Sequence, residues 1–181
     1  VLTQSAVNGY DLKTRYACLM HDIGKTLTPF DKLPKHHGHD VNGVELVKEF
    51  SDKYSVPSEL KSLAAFACRY HMYLHNLDAL NSKTFVNVFD SCRNRIEFVD
   101  VLCKVGVCDE RGRKGSEEND VSGLVRLFDY HKAYGSVKFE NVFPMGEKNP
   151  NKIKDGIRKA RITAINNSRR DEKLLDESEL V

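Results

Sequence analysis

Apolar residues recur at intervals of three and four over nearly the whole 181-residue chain, a spacing that gives helices one buried face and leaves strands without alternation. Tyr16, Leu19, Met20 and Ile23 follow it, as do Leu60, Ala64, Ala67 and His71 with Leu63 beside them. Val44, Val47 and Phe50 mark another helix, then Phe85, Val88, Phe89 and Cys92. Ile96, Val99, Leu102, Cys103 and Gly106 mark a further one, which carries Asp109 onto the same face. Val121, Leu124, Val125 and Phe128 open a helix that Gly135 ends. The expected fold class is all-α: a helical bundle, a linker and a C-terminal helix.

Punctuation between these runs sets the boundaries. Thr28 to Gly38, with Pro29 and Pro34, reads as a loop that Asp40 caps on the far side, and Pro57 reads as a first-turn proline. Residues 136–151 hold Pro144, Gly146 and Pro150 and read as a linker between a domain over 1–135 and a tail over 152–181. The tail helix is expected from Lys152 to about Asn167, with Ile153, Ile157, Ala160 and Ala164 as its stripe, and the charged end from Asp171 is expected to fray.

Composition narrows the class. The longest apolar runs fall far short of the ~18 residues that a membrane-spanning helix needs, and the first residues lack a signal-peptide pattern. Five cysteines without a Cys-x-x-Cys spacing, Cys18, Cys68, Cys92, Cys103 and Cys108, read as reduced core thiols of a cytoplasmic protein. Val1 stands where an initiator Met is expected, so the chain reads as a piece of a longer polypeptide or a processed one. Net charge is only +2, yet eight basic residues and one acid lie between Lys148 and Arg170, and five acids and one lysine follow. Such a basic segment fits either a polyanionic partner such as RNA or a solvated helix face.

Six of the seven histidines, His21, His36, His37, His39, His71 and His75, fall within the first 75 residues. Imidazole and carboxylate together suit a divalent metal ion, which activates water near neutral pH. The order His21-Asp22, His39, His71, Asp109 places such groups at element ends or on inward faces of four expected helices, where they can converge. Taken singly, each has a plainer reading. His71 fits a satisfied core histidine, Asp109 a helix-end carboxylate paired with Arg111 or Arg113, His36 and His37 a surface loop, and His75 either a second ligand or a rim residue. Lys25, Arg111, Arg113 and Lys114 are cations suited to a phosphate or to solvent. No Gly-rich phosphate loop, nucleophile elbow or zinc-finger spacing is present, so kinase, serine-hydrolase and finger readings lose their support.

The run His21-Asp22-Ile23-Gly24-Lys25, then Lys35-His36-His37-Gly38-His39-Asp40 with Gly43, then Tyr70-His71, then Asp109-Glu110-Arg111-Gly112-Arg113, resembles the HD metal-dependent phosphohydrolases. More narrowly, it looks like the C-terminal half of the bacterial CCA-adding tRNA nucleotidyltransferases that carry an HD domain. The likeness spans about Asp11 to Gly115 and resumes from Ile153 to Ile165. It implies metal ligation by His21, Asp22 and Asp109, with His39 and His71 as further ligands or catalytic groups facing the phosphate. It implies Lys25, His37, Arg111 and Arg113 as phosphate or RNA contacts. The implied activities are hydrolysis of 2′,3′-cyclic phosphates, 2′-nucleotides and simple phosphoesters, with nickel, magnesium or manganese as the ion and tRNA as partner. The family has a further His upstream of the HD pair, and this chain has no His before His21. The nucleotidyl-transfer head is absent as well. A non-catalytic tRNA-binding module and a stand-alone HD nucleotidase are the rival readings, and the oligomeric state, a homodimer included, is left open.

Overall fold

The fold is that of a computed structural model, and the structure describes residues 1–178, with side chains through Asp171. All regular structure among the described residues is helical: α1 (Leu2–Val7), α2 (Leu12–Met20), α3 (His39–Lys53), α4 (Ser58–Tyr70), α5 (Ser82–Ser91), α6 (Ile96–Arg111), α7 (Arg126–Ser136), α8 (Phe139–Val142) and α9 (Pro150–Ser178), with short 3-10 turns between them. The all-α expectation holds. Among these helices none is long and apolar enough to cross a membrane. The residues pack into two compact units, Val1–Leu77 with Glu97–Leu124, and Asp78–Ile96 with Val125–Val181.

In the first unit, Asp11 caps α2 by accepting from the Thr14 backbone N–H at 2.9 Å, satisfying one of the orphan donors of a helix start. The buried face of α2 is Thr14, Ala17, Cys18 and Met20, and Leu19, expected inside, is half exposed. That face packs on α4 through Leu63, Ala64, Ala67 and Cys68, and α3 adds Val47. Pro57 is the N-cap of α4, one position ahead of the expected first turn. Asp40 does not cap α3. Gly38 occupies the cap in a left-handed conformation (φ 73°) that a Cβ would strain, and the Asp40 carboxylate instead accepts from Arg69 at 2.6 Å, tying the start of α3 to the end of α4.

A close backbone approach in this unit lies between the turn Ile23–Leu27 and α3. A Cβ on Gly24 would stand 2.0 Å from the His39 carbonyl oxygen, and one on Gly43 would stand 3.0 Å from the Gly24 nitrogen. Two glycines therefore let α3 cross the turn that follows Asp22. What Gly24 supplies is room for this approach, which brings His39 beside Asp22.

The second unit is built on aromatic packing. Phe85 and Phe89 of α5 meet Tyr130 and Tyr134 of α7, and His131 sets its ring edge against Phe89. The buried face of α7 is Leu127, Tyr130, His131 and Tyr134, not the expected Val121, Leu124, Val125 and Phe128, because Ser122–Val125 forms a 3-10 turn that shifts the register before Arg126. The expected linker contains the short helix α8, and α9 is longer than expected at both ends, running through Ser178 where fraying was expected. Residues 179–181 of that charged end lie outside the described residues.

Gly24→Ala is expected to destabilise the protein by about 1–3 kcal/mol, since backbone atoms cannot yield as a flexible side chain would. Gly123→Ala, with nothing within 4 Å of its added Cβ, is expected to change little. Denaturant unfolding of both variants measures the difference.

Candidate metal centre

Each histidine of the site stands at a helix end: His21 closes α2, His39 opens α3, and His71 closes α4. Each is buried, and each sends its Nδ1 to a backbone carbonyl three residues earlier. His21 meets the Cys18 oxygen at 2.8 Å, His39 the His36 oxygen at 2.7 Å, and His71 the Cys68 oxygen at 2.9 Å. A carbonyl only accepts, so Nδ1 carries a hydrogen in all three rings and each Nε2 points inward, as a lone pair wherever the ring is neutral.

Those Nε2 atoms converge on one carboxylate. His39 Nε2 lies 3.1 Å and His71 Nε2 3.4 Å from Asp22 Oδ1, and His21 Nε2 lies 3.2 Å from Asp22 Oδ2 and 3.7 Å from Asp109 Oδ1. His39 Nε2 and His71 Nε2 face each other at 3.2 Å. With both Nδ1 positions donating, neither neutral ring has a hydrogen to place between them. His21 Nε2 and Asp22 Oδ1 are buried without a hydrogen bond of acceptable geometry. Unmade bonds of this kind are costly inside a protein, and a cation at the point of convergence removes the cost. The donor set fits a divalent ion, with two overlapping groups: Asp22, His39 and His71, and His21, Asp22 and Asp109. Asp22 belongs to both.

Electrostatics agree with the geometry. Burial works against the His21 imidazolium, but Asp109 and Asp22 outweigh it and its pKa is pushed up to about 9, so near neutral pH a cation takes this Nε2 in exchange for its proton. Burial opposes ionisation of Asp22 too, yet His21, His71 and Lys25 hold it well below the usual carboxylate range. His21 and His75 do the same for Asp109 against its own burial. Both carboxylates are therefore anionic, and the pocket draws positive charge.

Of the residues singled out in the sequence, His21, Asp22, His39, His71 and Asp109 come together. Asp109 does not point to solvent with Arg111: it is buried, and its Oδ2 receives Arg113 at 3.1 Å and His75 at 3.0 Å. Lys25 reaches Asp22 Oδ2 at 2.5 Å. A cleft of about 460 Å³ opens on the centre, lined by His39, His71, Asp22 and Asp109 with Lys25, Lys35, His36, His37, Met72, His75 and Arg113. Arg111 is not in that lining, and its Nε donates to the Asn119 carbonyl at 3.0 Å. His75, read from the sequence as either a second ligand or a rim residue, meets Asp109, and Lys35, given no role there, lines the cleft. The four-residue spacing from His71 was the one signal for His75, and nothing in the sequence distinguished Lys35 from other surface lysines.

The fold and site define a class. The HD domain family model matches residues 6–134, and the chain belongs to that family. It is similar to three relatives each called Multifunctional CCA protein. That of Neisseria gonorrhoeae is 41% identical over 119 residues, 64% of this chain and 29% of the relative. Those of Cupriavidus taiwanensis (33% over 168 residues) and Pseudomonas fluorescens (32% over 170 residues) each cover 91% of this chain and 40% and 41% of the relative. The chain thus spans well under half the length of these relatives. No solved structure matches it significantly.

Asp22→Ala is expected to weaken nickel binding by more than the ~10–100-fold that a residue merely supporting a ligand costs. Helical content should stay unchanged, because Asp22 lies outside α2 and α3. Calorimetric titration with nickel and circular dichroism of the parent and variant test both halves of this expectation.

Proposed function

We propose that the chain is the HD phosphohydrolase part of a CCA-adding tRNA nucleotidyltransferase, its HD domain over 1–135 followed by a linker over 136–151 and a basic tail over 152–181. It hydrolyses 2′,3′-cyclic phosphates, 2′-nucleotides and simple phosphoesters with nickel, magnesium or manganese. The observation that carries the reading is the convergence of three inward Nε2 atoms on the Asp22 carboxylate, beside Asp109, at the floor of a cation-lined cleft. The names of the relatives supply the tRNA context.

His21, Asp22 and Asp109 would hold the ion, with His39 and His71 completing its shell. A divalent ion there supplies Lewis acidity and a lowered pKa for water. Lys25 and Arg113 keep one oxygen of each carboxylate occupied, so that the other faces the centre. Whichever of His39 and His71 is not bound to the ion is placed to protonate the leaving oxygen. Lys25, Arg113 and His37 face the phosphate from the cleft walls, where charge on its oxygens develops during attack.

The tail needs a narrower account than its charge alone gives. Arg158 and Arg161 reach Asp90 at 3.3 and 3.1 Å, and Arg169 donates to the Leu80 and Asp78 carbonyls. These three arginines hold the second unit together. Lys148, Lys152, Lys154, Lys159 and Arg170 are exposed and would meet the tRNA backbone.

The test is hydrolysis of adenosine 2′,3′-cyclic phosphate. The parent is expected to turn it over with nickel and to lose activity with a chelator, and Asp22→Ala is expected to fall at least about 100-fold, more than a supporting residue would account for. Equal rates in parent and variant overturn the metal-dependent reading. Charge reversal of Lys152, Lys154 and Lys159 to Glu is expected to weaken tRNA binding and to flatten its salt dependence, by roughly 0.9 in log–log slope for each duplex phosphate that is no longer neutralised. An unchanged slope makes this face merely solvated.

A further inference from the structure

We propose that Asp40 and Arg69 are positioning residues of the metal centre: their ion pair sets the separation of the His39 and His71 rings and, through it, the affinity and coordination geometry of the ion. The inference rests on the metal-dependent reading above and concerns two residues that belong to neither convergent group and do not line the cleft.

The Nδ1 bonds orient each ring on its own helix end, His39 on the His36 carbonyl and His71 on that of Cys68, yet neither bond spans the two helices. The two Nε2 atoms nevertheless stand 3.2 Å apart, with ring centroids at 5.2 Å. A transition-metal ion such as zinc takes imidazole nitrogen at about 2.0–2.1 Å, so the shell tolerates little drift between the start of α3 and the end of α4.

Asp40 follows His39 directly. Adjacent helical residues point about 100° apart, so while the imidazole turns inward the carboxylate turns toward α4. There its Oδ2 accepts from Arg69 Nη1 at 2.6 Å, two residues before His71. The pair thus bridges the two helix ends beside the rings it serves. The Asp40 and Arg69 side chains are only 17% and 33% exposed, so their attraction is screened less than that of a surface pair. The guanidinium also rests on the rings of Tyr70 and Tyr73, 5.3 and 5.9 Å from their centroids, which limits where it can reach. Close packing supports the same spacing: the Cys68 thiol donates to the Asp40 carbonyl at 3.8 Å, and a Cβ on Gly43 would stand 2.7 Å from the Cys68 sulfur. Asp52 and Lys61 provide an internal comparison. They pair at 2.5 Å between the same two helices, but about 19 Å along α3 from His39 at ~1.5 Å per residue.

Calorimetric titration with nickel alone tests the proposal in the parent, in Asp40→Asn, in Arg69→Gln, in the double variant and in Lys61→Gln. The first two substitutions are each expected to weaken nickel binding about tenfold, within the ~10–100-fold typical of groups that orient ligands. The double variant should lose no more than the weaker-binding single one, because both changes remove the same pair. Lys61→Gln breaks the remote pair and should leave nickel affinity unchanged, whatever it does to thermal unfolding. The visible spectrum of the cobalt-loaded chain is expected to change in Asp40→Asn and Arg69→Gln and to stay as in the parent in Lys61→Gln, a contrast that lost helix stability alone does not produce. Should Arg69→Gln fail to fold, Asp40→Asn, which keeps the shape of the side chain, decides the matter. Parent-like affinity or spectrum in the Asp40 variant, or an equal loss in Lys61→Gln, overturns the positioning role. Turnover of adenosine 2′,3′-cyclic phosphate is followed in parallel. Turnover with like nickel affinities in all chains removes the positioning role and keeps the hydrolase reading, whereas the expected affinity differences without turnover in the parent do the reverse. A parent that binds no nickel removes both.

Discussion

The carbonyls of Cys18, His36 and Cys68 each accept the Nδ1–H of a histidine three residues later, and the chemistry of the centre depends on these three bonds. Without them each ring chooses between tautomers and turns about its χ2 angle. With them a hydrogen is fixed on Nδ1, and every Nε2 faces inward, free to take an ion once it has no proton of its own. Two of the three carbonyls lie in the last turn of a helix, where backbone oxygens lack an intrahelical partner. Ending α2 at Met20 and α4 at Tyr70 therefore serves two purposes: it releases an acceptor and delivers a ring to it.

The same division of labour governs the carboxylates. A buried anion is costly unless its lone pairs are occupied, and a ligand must still keep one of them free. Asp109 resolves this by giving Oδ2 to His75 and Arg113 while Oδ1 stays toward His21. Asp22 gives Oδ2 to Lys25, and Oδ1 faces His39 and His71. The cations of the sequence motifs are accordingly committed in large part to these two carboxylates, which leaves fewer of them free than a count of basic residues implies.

Much of this is legible in the sequence because the relevant residues obey periodicity. Asp109 follows Val99, Leu102, Cys103 and Gly106 down one face of α6, and His71 follows Leu63, Ala64 and Ala67 down α4, so inward placement can be read directly. Where the backbone leaves the α-helical period, spacing misleads. The 3-10 turn before α7 displaces the core register to Leu127, Tyr130 and Tyr134, and the turn from His71 to Ala79 hides that His75 faces Asp109. Side chains whose partners are remote in sequence are equally opaque: Asp40 has the position of a cap and is a salt-bridge partner of Arg69. In α9, spacing alone does not separate Arg158, Arg161 and Arg169, which pack on the second unit, from the exposed lysines beside them.

The cysteines show what kind of ion the centre suits. Cys68 is one turn from His71, close enough in sequence to have offered a thiolate, yet burial with Asp40 and Asp22 nearby pushes its pKa up to about 12. Its Sγ leans on the Asp40 carbonyl at 3.8 Å, and its backbone oxygen is the group that serves the site. Metal ligation there would cost the release of that proton, and Cys68 is in neither convergent group. All five cysteines are free and buried, and the two convergent groups contain only imidazole and carboxylate. Such donors favour borderline and hard divalent ions over the soft ions that thiolates select, and those are the ions suited to polarising a phosphate oxygen. Among the described residues the fold thus brings nitrogen and oxygen donors together and leaves sulfur out of both groups.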